Sequence, residues 1–251
     1  MRTALAKIPT RTDYVEEVYK VLLNAISDGT LAPGVRITQE AIAEQLDVSR
    51  SPVLQALRLL KKDGFIQDAP GRGVQVAPLD TEWVAKIYEV RGALDALAAR
   101  LAARRRARLD PALLEHGRRL AHDDDVNAMV DADMAFHRAI YQAAGNDLIA
   151  QSAQLHWAHL RRVMGAVLQA SSQRSTVWQE HQAIAEAIAS GDADKAALMV
   201  DEHTTRASAH LTARMRAALR SDSAASDQTA SASERSQGRL ADPPPAGAKD
   251  T

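Results

Sequence analysis

The chain has 251 residues, 46% of them hydrophobic, and a formal net charge of -1: enough for one large domain or two of ordinary size with a sizeable core. It contains no cysteine, which excludes disulfides and thiolate zinc sites and suits a reducing compartment. The opening MRTALAKIPTRTDY lacks the long apolar stretch of a secretory signal and no apolar run can cross a bilayer, so a cytoplasmic protein without a membrane partner is expected.

The balance of charge gives no global sign of a polyanionic partner, but a local patch is all that one needs. In chain order, a helix is predicted from Tyr14 to Ser27, with Val15, Val18, Leu22 and Ile26 on one face and Asp28-Gly29 as its stop. After a turn at Pro33-Gly34, a short helix runs from Gln39 to Leu46 with Thr38 as N-cap. The stretch DVSRSPVLQALRLLKKDGFI then holds an apolar stripe, Val53, Ala56, Leu57 and Leu60, at helical spacing. Ser49 or Ser51 can cap this helix, and Pro52 suits its first turn. Phe65 to Gln67 and Val74 to Ala77 read as short strands joined by APGRG. Helix, helix-turn-helix and β-wing together make a winged helix-turn-helix over residues 1–78.

In such a module the second helix of the turn enters the DNA major groove. Its polar face then offers Arg50 and Arg58 to phosphate or guanine, Gln55 to adenine and Ser51 to either, while Arg72 sits at the wing tip between glycines. From Val48 to Pro78 there are five cations (Arg50, Arg58, Lys61, Lys62, Arg72) against two anions (Asp63, Asp68). A solvated helix face is the ordinary alternative for such charge.

From Thr81 to about Leu219 only helices are predicted: roughly 81–106, 110–122, 126–144, 147–170, 175–190 and 193–219. Gly145 and Gly191 are C-terminal stops, and Asp192 caps the last helix. The result is a mainly α protein, with an N-terminal winged helix-turn-helix and a C-terminal all-α bundle over residues 79–219. Residues 220–251, rich in Ser, Ala, Asp and Pro, cannot offset ordering entropy by burial and are expected to be a disordered tail.

Polar residues interrupt the apolar stripes of the bundle. Asp133 and His137 stand one turn apart in the third segment, His181 in the fifth, His203 in the last and Arg91 in the first. A buried carboxylate is costly unless paired or metal-bound. One aspartate and three histidines facing a common interior make a sensible divalent-cation set, and the planar fork of Arg91 suits a carboxylate. Each also has an ordinary reading: a hydrogen-bonded core histidine, or an Asp133–Arg91 pair. His156 and His159 look similar to the candidate ligands, and His122-Asp123-Asp124-Asp125 reads as a solvated loop.

Two family resemblances sharpen this. LAPGVRITQEAIAEQLDVSRSPVLQALRLLKKDGFI followed by GRGVQVAP resembles the DNA-binding domain of the GntR family of bacterial transcription regulators, over about residues 10 to 78. The DNA-contacting set is then Arg36, Ser49, Arg50, Ser51, Gln55, Arg58, Arg72 and Gly73. The family usually has Arg-Glu where this chain has Leu54-Gln55, so its operator is expected to differ. VRGALDALAARLAA, DADMAFHRAIYQAAGNDLI and EHQAIAEAIASGDADKAALMVDEH resemble the FCD effector domain of the FadR branch, over about residues 80 to 218. This resemblance implies a metal, zinc or nickel and otherwise manganese, on Asp133, His137, His181 and His203, and a small organic acid held by the metal and Arg91. It also implies a homodimer, a repressor by expectation, on a two-fold symmetric double-stranded DNA operator. The alternative class is a metal-dependent hydrolase with a DNA-binding appendage, which needs a base such as Asp95 or Glu180.

Overall fold

The structure, a computed structural model, describes residues 14–167 and 174–238, with side chains described over 14–167 and 176–220. It has a small winged module followed by a helical bundle, as expected from the sequence.

Helix α1 (Tyr14–Ser27) buries Val18, Leu22 and Ile26 against α3. Helix α2 (Gln39–Gln45) starts at Thr38, whose side-chain oxygen accepts from the Ala41 amide at 3.3 Å. Helix α3 (Arg50–Lys62) buries the predicted stripe Val53, Ala56, Leu57 and Leu60. The expected serine cap is absent: Ser49 holds the N-cap position, but its side chain makes no capping bond. Instead Gln39 Nε2 of α2 donates to the Arg50 carbonyl at 2.6 Å, tying the two helices of the turn together.

The wing contains one strand more than its sequence suggested. Strands β2 (Ile66–Asp68) and β3 (Val74–Val76) pair antiparallel, with Gln67 opposite Gln75, and β1 (Arg36–Ile37) pairs with the other side of β3. Two residues are too few to show a period of two, so β1 was invisible in the pattern. Phe65 precedes β2 and is fully buried in the module's core. At the turn Gly73 has φ +95, and a Cβ there would stand 3.2 Å from the Ile37 carbonyl, so this tight tip needs glycine.

The bundle comprises α4 (Thr81–Arg104), α5 (Pro111–Leu120), α6 (Val126–Ala144), α7 (Asp147–Val167), α8 (Arg174–Ser190) and α9 (Ala193–Gly238). Aspartates cap four of these helices: Asp80, Asp110, Asp125 and Asp192 accept from first-turn amides. Asp125 thus gives the acidic run His122–Asp125 a structural purpose. Gly145 ends α6 in the left-handed region, φ 59. Helix α4 touches α6, α7, α8 and α9 and is the centre of the bundle. Helix α9 continues to Gly238, past residue 220 where a disordered tail was expected. Between Asp192 and Gln237 the chain has no glycine or proline and many alanines, so helix propensity carries the element beyond its last buried residues. Residues 239–251, the rest of that expected tail, lie outside the described residues.

The module rests on α7. His159 stacks on Phe65 with ring centroids 3.9 Å apart and reaches the Asp63 carbonyl at 2.9 Å through Nε2. Arg162 donates to the Ala77 carbonyl.

Candidate metal centre and DNA-facing surface

Three helices converge on one buried cluster. Helix α6 supplies Asp133 and His137 from successive turns, α8 supplies His181 and α9 supplies His203. All four are buried, and one donor atom from each lies within 4.8 Å of the others. His181 Nε2 stands 3.3 Å from His203 Nε2 and 3.4 Å from Asp133 Oδ1. Two imidazole nitrogens each about 2.1 Å from one ion would lie roughly 3–3.5 Å apart, so the spacing fits a shared cation.

The atoms behind the cluster fix its orientation. His203 Nδ1 pairs with Glu180 at 2.7 Å, which leaves Nε2 to face inward. His137 Nδ1 faces Asp95 Oδ2 at 3.3 Å, and its Nε2 is buried without a hydrogen-bond partner among the described residues. His181 stacks on Phe136 at 4.0 Å and meets Trp178 edge-on at 4.7 Å, which fixes its ring. Carboxylates placed behind ligating imidazoles set their tautomer and raise their basicity. Burial, and then the nearby His203 and His137, hold the His181 pKa well below its ordinary value. Burial followed by the Arg91 charge lowers that of His137, against an opposing pull from Asp95. Neutral imidazoles are what a cation requires. Orphaned buried nitrogens, a buried carboxylate and converging lone pairs therefore fit a divalent ion held by these four residues.

Beside the cluster, Arg91 of α4 is buried and committed. Its Nε lies 3.0 Å from Asp95 Oδ2, and its guanidinium sits 3.7 Å over the Trp157 ring. Tyr141 donates to Asp95, and Trp157 Nε1 donates to Tyr141 at 3.2 Å. Burial would raise the Asp95 pKa, but Arg91 first, then His137 and Tyr141, bring it down to about 2. The Arg91 partner is thus Asp95, not Asp133. Both carboxylates named as hydrolytic bases, Asp95 and Glu180, are occupied: each faces an imidazole Nδ1 and an arginine. A cavity of about 290 Å³ opens beside the cluster, and its wall includes Arg91, Asp133, Glu180 and His203.

Nothing local in the sequence marks Tyr141, Trp157 or Arg206, which holds Glu180 at 2.9 Å, as part of this site. Packing of α6 on α4 brings Tyr141 to Asp95, and packing of α7 on both brings Trp157 to Tyr141 and Arg91. His156 stays outside the ligand cluster, and His159 serves the contact between module and bundle.

On the winged module Ser49, Arg50, Ser51, Gln55 and Arg58 are all exposed along the start and outer face of α3, and Arg36, Arg72 and Gly73 are exposed at the wing. Arg36 donates to the Arg72 carbonyl and so braces the tip. Two cations of the basic patch have acidic neighbours: Lys61 bonds Asp68 at 2.7 Å, and Arg50 lies 3.3 Å from Glu40.

A winged helix-turn-helix docked on a helical bundle is the architecture of a DNA-binding transcriptional regulator. Residues 14–76 match the gntR family of bacterial regulatory proteins, and residues 86–206 match the FCD domain. The chain belongs to the GntR family, in its FCD-containing branch. It is 37% identical over 95 residues to the HTH-type transcriptional regulator YdhC of Bacillus subtilis, a match that covers 38% of this chain and 42% of YdhC. Over longer spans it is 28% identical to LutR of B. subtilis (72% of this chain, 93% of LutR) and 25% identical to the repressor RspR of Escherichia coli (75% and 84%). The fold is that of E. coli McbR/YncC, with a TM-score of 0.67 at 21% identity, covering 80% of this chain and 98% of McbR. These relatives are DNA-binding transcriptional regulators, and the hydrolase reading finds no support among them.

Proposed function

We propose that this chain is a cytoplasmic, homodimeric repressor whose bundle binds one divalent cation and a small carboxylic acid, and whose acid-bound state has altered operator affinity. The observation that carries this reading is the four-residue cluster: three imidazoles and a carboxylate with donor atoms within 4.8 Å, on the edge of a cavity that Arg91 also lines. Zinc or nickel suits the nitrogen-rich set best, with manganese as the oxygen-preferring alternative. When bound, the ion supplies positive charge and open coordination positions for an anion. Arg91, held flat between Asp95 and Trp157, turns part of its fork to that anion.

A two-fold operator calls for a second copy of the chain. Trp83, Val90 and Leu97 are exposed on α4 at intervals of seven residues, an apolar stripe of the kind that joins two helices. The repressor assignment is carried over from RspR. DNA contact falls to the exposed residues of α3 and the wing: Arg50, Ser51, Gln55 and Arg58 in the major groove, with Ser49 at its edge, and Arg36, Arg72 and Gly73 at the adjoining backbone or minor groove.

The test is elemental analysis of tag-free protein purified without chelator, followed by titration of an operator duplex with and without acid. One metal equivalent per chain, lost in His181→Ala, and an acid-dependent shift in operator affinity are expected. A full metal equivalent in His181→Ala would remove the site.

A further inference from the structure

The cavity beside the cluster is more apolar than a site for a polar polyacid should be. Apart from the cluster residues, its described wall includes Met129, Met164, Val177, Trp178 and Leu211. Its volume, about 290 Å³, lies at the small end of ligand cavities, which run from about 300 to 1,000 Å³.

The charges around it can be paired off. Arg91 matches Asp95, and Arg206 matches Glu180. Asp133 remains, and against a divalent cation it leaves one unit of positive charge, enough for a single carboxylate. A second carboxylate would meet no further lysine or arginine among the described wall residues, and Glu180 would repel it. Helix α9 adds direction. His203, Ala207 and His210 share one face, and His210 stands about 10 Å along the axis from His203. His210 lines the cavity, and its Nε2 is buried without a hydrogen-bond partner among the described residues. Burial and then the Arg214 charge hold its pKa below the ordinary histidine value, so it offers a neutral nitrogen and not a second cation.

Resting on the metal-and-acid reading above, we propose that the ligand is a monocarboxylate with an elongated apolar body that ends in one neutral hydrogen-bonding group, which meets His210. The carboxylate lies at the cluster. An aryl or branched-alkyl body fills the space between Trp178, Val177 and Leu211. A hydroxyl or similar group satisfies the otherwise orphaned nitrogen, and a ligand without one forgoes that bond.

The experiment is calorimetric titration of the metal-loaded full chain with 4-hydroxyphenylacetate, phenylacetate, 4-hydroxyphenylacetamide, succinate and citrate. The hydroxylated aryl acid is expected to bind tightest, with phenylacetate about tenfold weaker for the loss of one hydrogen bond to a buried partner. The amide, succinate and citrate should be weaker still. His210→Phe should erase the advantage of the hydroxyl while metal content and phenylacetate affinity stay unchanged, and His210→Asn should restore part of it. Leu211→Glu should weaken both aryl acids. Succinate or citrate binding as tightly as the aryl acids would overturn this proposal and leave the metal-and-acid reading standing. An undiminished hydroxyl advantage in His210→Phe would overturn the distal contact. If the metal-loaded chain binds none of the acids, or binds the amide as well as the acid, the broader reading falls instead.

Discussion

The Nε2 of His159 lies 2.9 Å from the main-chain oxygen of Asp63, the residue that caps the C-terminus of α3. Two residues earlier on the same helix, Trp157 lies beneath the Arg91 guanidinium of the candidate ligand site. Helix α7, which also lends Met164 to the cavity wall, is therefore in contact with both the end of α3 and the cavity, and a shift of α7 would be felt at both. A ligand can bias such a shift only through different affinities for the two arrangements.

Replacing His159 tests the strength of that contact. His159→Ala removes the stack on Phe65 and the bond to the Asp63 carbonyl, and should cost about 1–3 kcal/mol. Burial lowers the His159 pKa from 6.5 to about 4, with the Asp63 carbonyl opposing and the Arg162 and His156 charges adding to it. The fold thus favours the neutral ring. Its contribution is complete above pH 6.5 and is lost as pH falls toward 4, because the unfolded chain binds the extra proton over that window. Wild type should lose on the order of 3 kcal/mol across it from this residue. His137 and His181 titrate in the same direction, so the measurement is the difference in melting temperature between wild type and His159→Asn from pH 7.5 to 4.5. Parallel curves would show that His159 does not couple docking to pH.

Asp95 governs a second prediction. Asp95→Asn leaves the Arg91 guanidinium buried without its anion, at a cost of about 3–5 kcal/mol. It also withdraws the carboxylate behind His137, which should weaken metal binding about 10- to 100-fold. Arg91→Ala would strand Asp95 in the same way, so Arg91→Lys is the better probe of acid binding. Equilibrium dialysis with zinc against wild type and Asp95→Asn decides the matter. Equal affinities would mean that Asp95 serves Arg91 alone.

Much of this was legible in the sequence, and the reasons differ by element. The clustering of Asp133, His137, His181 and His203 was legible because polar residues at helical spacing within apolar stripes are costly without a purpose. Some ends of the bundle helices showed because Gly145 and Gly191 mark stops and Asp192 a cap. Strand β1 has only two residues and no period. The Arg91–Asp95–Tyr141–Trp157 network depends on three helices meeting, which no local pattern encodes. The continuation of α9 to Gly238 was missed because burial, not propensity, was taken to set its end.

Gly117 of α5 reports on the packing around the cluster. A Cβ there would stand 2.0 Å from the Trp178 ring, which is fully buried and cannot swing into solvent. Gly117→Ala must displace Trp178, which lines the cavity and abuts His181. Overpacking of this kind costs about 1–3 kcal/mol. A lowered melting midpoint together with weaker zinc binding is expected, whereas Gly117→Ala with wild-type stability would show that α5 and α8 can separate freely.

The DNA-facing surface supplies the last prediction. Arg58 is exposed on α3 with no carboxylate pairing it among the described residues, whereas Arg50 lies 3.3 Å from Glu40. Arg50 must leave that neighbour, or share it, to meet DNA; Arg58 pays no such cost. Arg58→Ala should therefore weaken operator binding by about 1–3 kcal/mol and relax base preference if it reads a base. If it contacts phosphate, the loss should be equal on operator and random duplex, and the salt slope should fall by about 1. Glu40→Gln should act in the opposite sense, strengthening binding to both duplexes at low salt, because it releases Arg50 and removes a negative charge from the approaching surface. That gain should fade as salt rises and screening takes over. Fluorescence anisotropy with both duplexes across a salt series measures all of these. If Arg58→Ala leaves both affinities and the slope unchanged, α3 does not present this face to DNA.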